Sequence, residues 1–103
     1  MSEKMIANVS VDFNDEGYLN NPSQWNEDIA REIANDLNIE LTDKHWEVIR
    51  YIREKFEAGE ALSIRRIGKS GIVDIKQFYQ FFPGGPLKMA TRIAGVPKPA
   101  SCV

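Results

Sequence analysis

Of 103 residues, one is cysteine, Cys102, and one is histidine, His45. A single thiol excludes an internal disulfide framework, and with one imidazole it cannot complete a structural zinc site or a CxxC redox pair within one chain. The fold must therefore be held by burying apolar side chains. A chain of this length buries about 65% of the surface its unfolded form exposes, enough for one compact core. The composition, 43% hydrophobic and 27% charged, is that of an ordinary soluble globule, so one domain over residues 1–103 is expected. No apolar run approaches 18 residues and no charged-then-apolar leader is present, so a cytoplasmic protein without cofactor or metal is the simplest expectation. An intermolecular disulfide through Cys102 stays open.

The cysteine sits one place before the C-terminal Val103, after Gly95-Val96-Pro97-Lys98-Pro99-Ala100-Ser101. Prolines spaced one residue apart favour a stiff, extended backbone, and Gly95 supplies a joint at which a preceding helix can stop. At roughly 3.1 Å per residue, this segment is long enough to hold the sulfur about 20 Å from Gly95. The pattern predicts a C-terminal arm over 95–103 that presents a thiol. The plainer alternative is a disordered chain end whose cysteine is only a small hydrophobe. Exposure alone does not activate a thiol: its ordinary pKa is about 8.5, and the terminal carboxylate pushes it up, so a nucleophile here needs cations nearby.

Cations are concentrated in that half of the chain. Residues 1–60 carry six Lys/Arg against fourteen Asp/Glu, a net of −8, whereas residues 61–103 carry seven Lys/Arg against Asp74 alone, a net of +6. Arg65, Lys88, Arg92 and Lys98 are the candidates for stabilising a thiolate or persulfide anion or for guiding an acidic partner, against the alternative of a solvated basic face.

The early residues predict strands and the rest helices. Met5 to Phe13 alternates imperfectly, with Ile6, Val9, Val11 and Phe13 as inward candidates; Asn14-Asp15-Glu16-Gly17 supplies a turn before Tyr18-Leu19, and the sum is a small antiparallel meander over about residues 1–20. About five helices should follow over 26–94. The first runs from near Asn26 to Leu37, with Glu27 and Asp28 at the positive end of its dipole and Ile29, Ile33 and Leu37 on its core stripe. Thr42 caps a helix from Asp43 to Ala58 whose face carries Trp46, Ile49, Ile52 or Arg53, and Phe56. Ser63 caps a short helix through Ile67, Asp74 caps one from Ile75 to Phe81, and Leu87 to Ala94 forms the last after the Pro83-Gly84-Gly85-Pro86 break.

Several sharper functions are weighed against plainer ones. His45, in the first turn of its helix, is expected to be a surface or hydrogen-bonding residue rather than a catalyst. Phe78, Tyr79, Phe81 and Phe82 are expected in the core; stacking on nucleic acid requires them exposed beside basic residues. Successive short helices allow a helix-turn-helix, but no clearly basic recognition helix is evident. There is no phosphate loop, no Gly-x-Ser-x-Gly elbow and no carboxylate pair with an assignable job.

Asp15-Glu16-Gly17-Tyr18-Leu19, Trp25, Leu41 through Arg50, and above all Tyr79 through Val103 resemble the DsrC/TusE family. Its characteristic ending appears as Phe82-Pro83-Gly84-Gly85-Pro86, then Ile93-Ala94-Gly95-Val96-Pro97-Lys98-Pro99-Ala100-Ser101-Cys102-Val103. The resemblance implies an α+β fold, a small three-stranded antiparallel meander packed on an array of about five helices with a mobile C-terminal arm, and a penultimate cysteine, Cys102, that carries sulfur as a persulfide. Members acting with dissimilatory sulfite reductase have a second cysteine eleven positions upstream; here that position is Thr91. A hydroxyl cannot form a sulfur–sulfur bond, which favours a TusE-like carrier that accepts persulfide from an upstream relay complex and passes it to a tRNA 2-thiouridine enzyme. Such a protein is a sulfurtransferase component rather than an independent enzyme, and direct nucleic-acid binding is not expected. A sulfite-reductase-associated or regulatory single-cysteine homologue is the alternative.

Overall fold

The computed structural model describes residues 2–6 and 9–97. Of the arm predicted over 95–103, residues 98–103, with Lys98 and Cys102, lie outside the described residues. Strands β1 (Ser2–Ile6) and β2 (Val9–Phe13) pair antiparallel, with Ser2 opposite Phe13 and Ile6 opposite Val9. The imperfectly alternating run is thus part of a hairpin.

The expected three-stranded meander does not form. After β2, the side-chain oxygen of Asn14 accepts from the N–H groups of Glu16 (2.9 Å) and Tyr18 (3.0 Å), turning the chain back. Leu19 meets β2 through a single bridge to Phe13, and the Asn20 N–H donates to the Asp12 carbonyl at 3.0 Å. There the pairing ends. Pro22 has no N–H to give a ladder, and the Asn21 side chain accepts from the Ser23 N–H instead, starting a 3₁₀ turn over Pro22–Gln24. Local side-chain bonding wins over a third strand.

Five helices follow: α1 (Glu27–Asp36), α2 (Asp43–Glu57), α3 (Ile64–Gly68), α4 (Ile75–Phe81) and α5 (Pro86–Ala94). Their starts are set by side-chain caps. Asn26 accepts from the Ile29 N–H at 2.9 Å, Ser63 from the Arg66 N–H at 3.1 Å, and Asp74 from the Gln77 N–H at 2.7 Å while the Gln77 side chain returns a bond from the Asp74 N–H at 3.0 Å. Pro86 opens α5, where its missing N–H costs nothing.

Helix α5 is the enclosed element. It packs chiefly on α2, then on α1 and α4, and Leu87, Ala90, Ile93 and Ala94 have no exposed surface. Ile29 and Ile33 of α1 and Val48, Ile49 and Ile52 of α2 face the same core, while Leu37, Trp46 and Phe56 are only half-buried at its edge. The aromatic group divides: Phe78 and Phe82 are fully buried in edge contact at 5.6 Å, Phe81 is half-buried, and Tyr79 is exposed.

His45 joins α2 to the end of α4. Its Nδ1 accepts from the Thr42 N–H at 3.1 Å, closing a capping box; its Nε2 lies 2.8 Å from the Phe81 carbonyl and therefore carries the proton. The ring is buried in edge contact with Phe81 and Phe82. Burial lowers its pKa from the ordinary 6.5, against the Phe81 hydrogen bond and Glu40, which raise it. This is a structural, neutral imidazole.

Two outcomes follow for stability. Phe78→Ala should cost about 3–5 kcal/mol in urea unfolding; a loss under about 1 kcal/mol would contradict its place at the centre of the core. Because the unfolded His45 binds a proton more readily than the folded one, its contribution is complete above pH 6.5 and is lost as pH falls from there through the lowered folded pKa. His45→Gln keeps a capping-box acceptor, so comparing its unfolding midpoints with wild type across that window should show the acid-side slope removed.

Candidate functional site

The segment that leads to Cys102 leaves the body at the C-terminus of α5. A helix ends with four carbonyl groups that have no partner inside it, and here all four are bonded. The Val96 N–H donates to the Thr91 carbonyl and the Gly95 N–H to the Arg92 carbonyl, each at 3.2 Å, a Schellman closure made possible by the left-handed φ of +69° at Gly95. The Ile93 carbonyl accepts from the Trp25 indole N–H at 2.8 Å, and the Ala94 carbonyl from Arg53 Nη1 at 2.7 Å. Two bonds come from the local chain and two from side chains far away in sequence.

Those side chains brace each other. The Arg53 guanidinium stands over the Trp25 ring, 4.3 Å from its centroid, and its Nη2 donates to the Pro22 carbonyl at 3.3 Å. Burial pushes the guanidinium below its ordinary pKa, with Glu57 opposing; an arginine stays charged regardless and suits the negative end of the α5 dipole. Trp25 also covers Gly95: a Cβ there would lie 2.8 Å from the indole Cγ and 2.9 Å from Leu19 Cδ1. Val96 is fully buried and Pro97 exposed, so the chain passes from core to solvent in one residue.

The four basic candidates are divided. Arg92 and Lys88 lie one turn apart on α5; Lys88 is exposed, while Arg92 is half-buried with its guanidinium against Gly17 and its Nε buried without a hydrogen-bond partner among the described residues. Arg65 is exposed on α3, a helix that packs mainly on α4, and among the described residues no hydrogen bond or ion pair joins it to α5. Lys98 and Cys102 lie outside the described residues. Thr91 is fully buried; its Oγ1 donates to the Leu87 carbonyl at 2.7 Å and lies 3.4 Å from the equally buried Tyr18 hydroxyl.

Comparison with known proteins shows which family has this fold. A family model described as DsrC like protein matches residues 5–103. The chain belongs to the DsrC-like family. This DsrC-like chain is 41% identical to the sulfurtransferase TusE homolog of Haemophilus influenzae, over 95% of its own length and 97% of that protein. It is 38% identical to sulfurtransferase TusE of Escherichia coli, over 90% and 93%. Among solved structures it is similar to the oxidized gamma-subunit of the dissimilatory sulfite reductase (DsrC) from Archaeoglobus fulgidus, with TM-score 0.84, 34% identity and 99% and 100% of the two chains covered. Allochromatium vinosum DsrC gives TM-score 0.85 at 35% identity, covering 98% and 97%. The DsrC-like fold is mostly helical with little strand, as described above. Among the described residues no helix is long and apolar enough to cross a membrane.

Sequence reasoning missed the part played by Arg53, which stood only as an alternative to Ile52 on the apolar stripe; Ile52 is the core residue and Arg53 holds the exit. Trp25 was visible only as a motif residue. The available signal was a large aromatic set among Asn, Pro, Ser and Gln, with nothing local to pack on.

Gly95→Ala combines a left-handed backbone with a steric clash, so it should destabilise by roughly 2–5 kcal/mol. Gly59→Ala is the control: its φ is +74° but a Cβ there has nothing within 4 Å, so only the backbone cost of about 1–2 kcal/mol applies. Equal losses in denaturant unfolding would show that the Trp25 and Leu19 contacts at Gly95 carry no weight.

Proposed function

We propose that this protein is a sulfur carrier in a relay, holding sulfur as a persulfide on Cys102 and working in the cytoplasm as one DsrC-like unit. The reading is supported by the TusE sulfurtransferase relatives that match most of the chain, and the observation that carries it is the braced end of α5, from which the cysteine-bearing segment starts. In the transfer step the Cys102 thiolate attacks the outer sulfur of a donor protein's persulfide. A new S–S bond forms to Cys102, the donor's S–S bond breaks, and its electron pair leaves as the donor thiolate, with no net oxidation. The same exchange in the forward direction unloads the sulfur to an acceptor.

Lys98, Arg92, Lys88 and Arg65 serve this step by favouring the anion and attracting an acidic donor. For Arg92 a half-buried guanidinium whose Nε has no hydrogen-bond partner among the described residues supports such a role; Arg65, on α3, suits partner docking rather than contact with sulfur. The destination we favour is tRNA 2-thiouridine formation. Thr91 supports that choice: its hydroxyl is tucked onto the Leu87 carbonyl, and position 91 offers no second thiol for a cycle within the chain. A role beside a sulfite reductase is the second reading, favoured by the similarity to gamma-subunit structures.

Intact mass spectrometry after incubation with a persulfide-charged donor protein tests the proposal. Wild type should gain about 32 Da, reversed by reductant, and Cys102→Ser should gain nothing; sulfur acceptance by Cys102→Ser would contradict the assignment. Neutralising Arg65, Lys88, Arg92 and Lys98 together should slow loading, with the deficit shrinking as salt is raised.

A further inference from the structure

We propose that the outer side of α4, Ile75 and Tyr79 bordered by Lys69 and Lys76, is the docking surface for an acidic protein that supplies or takes the sulfur; its use in transfer rests on the sulfur-carrier reading. None of these four residues has a part in the transfer step itself.

Among the described residues, Ile75 and Tyr79 are the large hydrophobic side chains that stand in solvent, 46% and 49% exposed. Single apolar residues at a surface are ordinary, but these two lie four apart on one helix, where side chains are neighbours. Phe78 turns the inner side of α4 to the core, and at about 3.6 residues per turn Ile75, Tyr79, Lys76 and Gln80 follow one another around the outer side. The strip reaches α3 as well. A Cβ on Gly68 would lie 2.6 Å from Ile75 Cγ1, so Ile75 is laid over the end of α3, next to Lys69.

The charges around the strip point to its occupant. Lys69 and Lys76 are exposed and form no ion pair among the described residues, and Arg65, one turn before Lys69, adds a third such cation. Arg66 is engaged with Glu60 at 3.4 Å, and Asp74, the one acid in residues 61–103, is held by the Gln77 N–H at 2.7 Å in the cap of α4. The face is therefore apolar at its centre and positive at its edge. A protein surface that sets an apolar side chain among carboxylates complements it, and a tyrosine at the centre suits such an interface. A nucleic acid fits less well: Ile75 has no flat face for a base, and the net of −8 on residues 1–60 repels a phosphate backbone.

The test is amide NMR of the full chain titrated with poly(Glu,Tyr), an acidic polypeptide that carries aromatic side chains, beside poly-glutamate and a tRNA. Poly(Glu,Tyr) should shift the amides of residues 65–69 and 75–80, more strongly than poly-glutamate does and less as salt is raised. Tyr79→Ser and Lys76→Glu should each weaken this binding about 10-fold. Arg50→Glu, an exposed change of equal charge on α2, should weaken it by less than about twofold. Loading of Cys102 from a persulfide-charged cysteine desulfurase should show KM raised about 10-fold in the first two variants with kcat within about twofold, while loading from glutathione persulfide is unchanged. Shifts confined to other residues, binding that neither variant weakens, a tRNA that takes this face more tightly than poly(Glu,Tyr), or wild type that dimerises through it overturns the assignment. Weakened binding with undiminished loading from the desulfurase overturns its use in transfer. Wild type that gains no sulfur from either donor yet binds poly(Glu,Tyr) at this face sinks the carrier reading and leaves the surface standing.

Discussion

The carbonyl oxygens at the end of α5 are the constraint around which the molecule is arranged. They lie where the most enclosed helix reaches the surface, and each left unbonded there would cost about 1–3 kcal/mol. Two are satisfied by the chain's own turn at Gly95, and two require donors from positions 68 and 41 residues away along the sequence. This accounts for features that look unrelated. The third strand yields to a 3₁₀ turn that leads directly into Trp25; a charged side chain sits half-buried on α2; and position 95 is glycine beneath an indole.

A carrier needs little catalytic apparatus, and the body is consistent with that economy. The one imidazole bonds Thr42 and the Phe81 carbonyl and is kept neutral by burial, so it is structural rather than a base waiting for substrate. The chemistry of thiol exchange belongs to the sulfur itself and to the thiolate fraction that nearby cations favour. On the proposed reading those cations would come from the basic half of the chain, since residues 61–103 carry a net of +6 while residues 1–60 carry −8. A rigid exit and a basic half are what the fold contributes to a thiol that follows in sequence.

Much of the helical plan was legible because its signals are local. Thr42, Ser63 and Asp74 mark helix starts within a residue or two, and Gly95 marks the stop, since caps are made by atoms three or four positions apart. The meander was not legible: turn residues after Phe13 and a following Tyr18-Leu19 pair suggest another strand, yet the competing side-chain bond of Asn21 and the missing N–H of Pro22 decide the outcome. Cys102 and the family ending stood out in the sequence, but Arg53 and Trp25 did not, because their partners lie tens of residues away. Arg53 falls beside Ile52 on a periodic stripe, where periodicity alone cannot distinguish an apolar wall from a cation over an aromatic ring.

Native-state hydrogen exchange at the Trp25 indole N–H and the Val96 amide tests the central claim most directly. If the end of α5 is locked to the body, both protons should exchange only through global unfolding, at the free energy measured for the buried amides of Ile49 and Ile52. Exchange at either site through a local opening several kcal/mol cheaper, with those α2 amides still protected, would mean that the helix end frays on its own and the exit is not fixed.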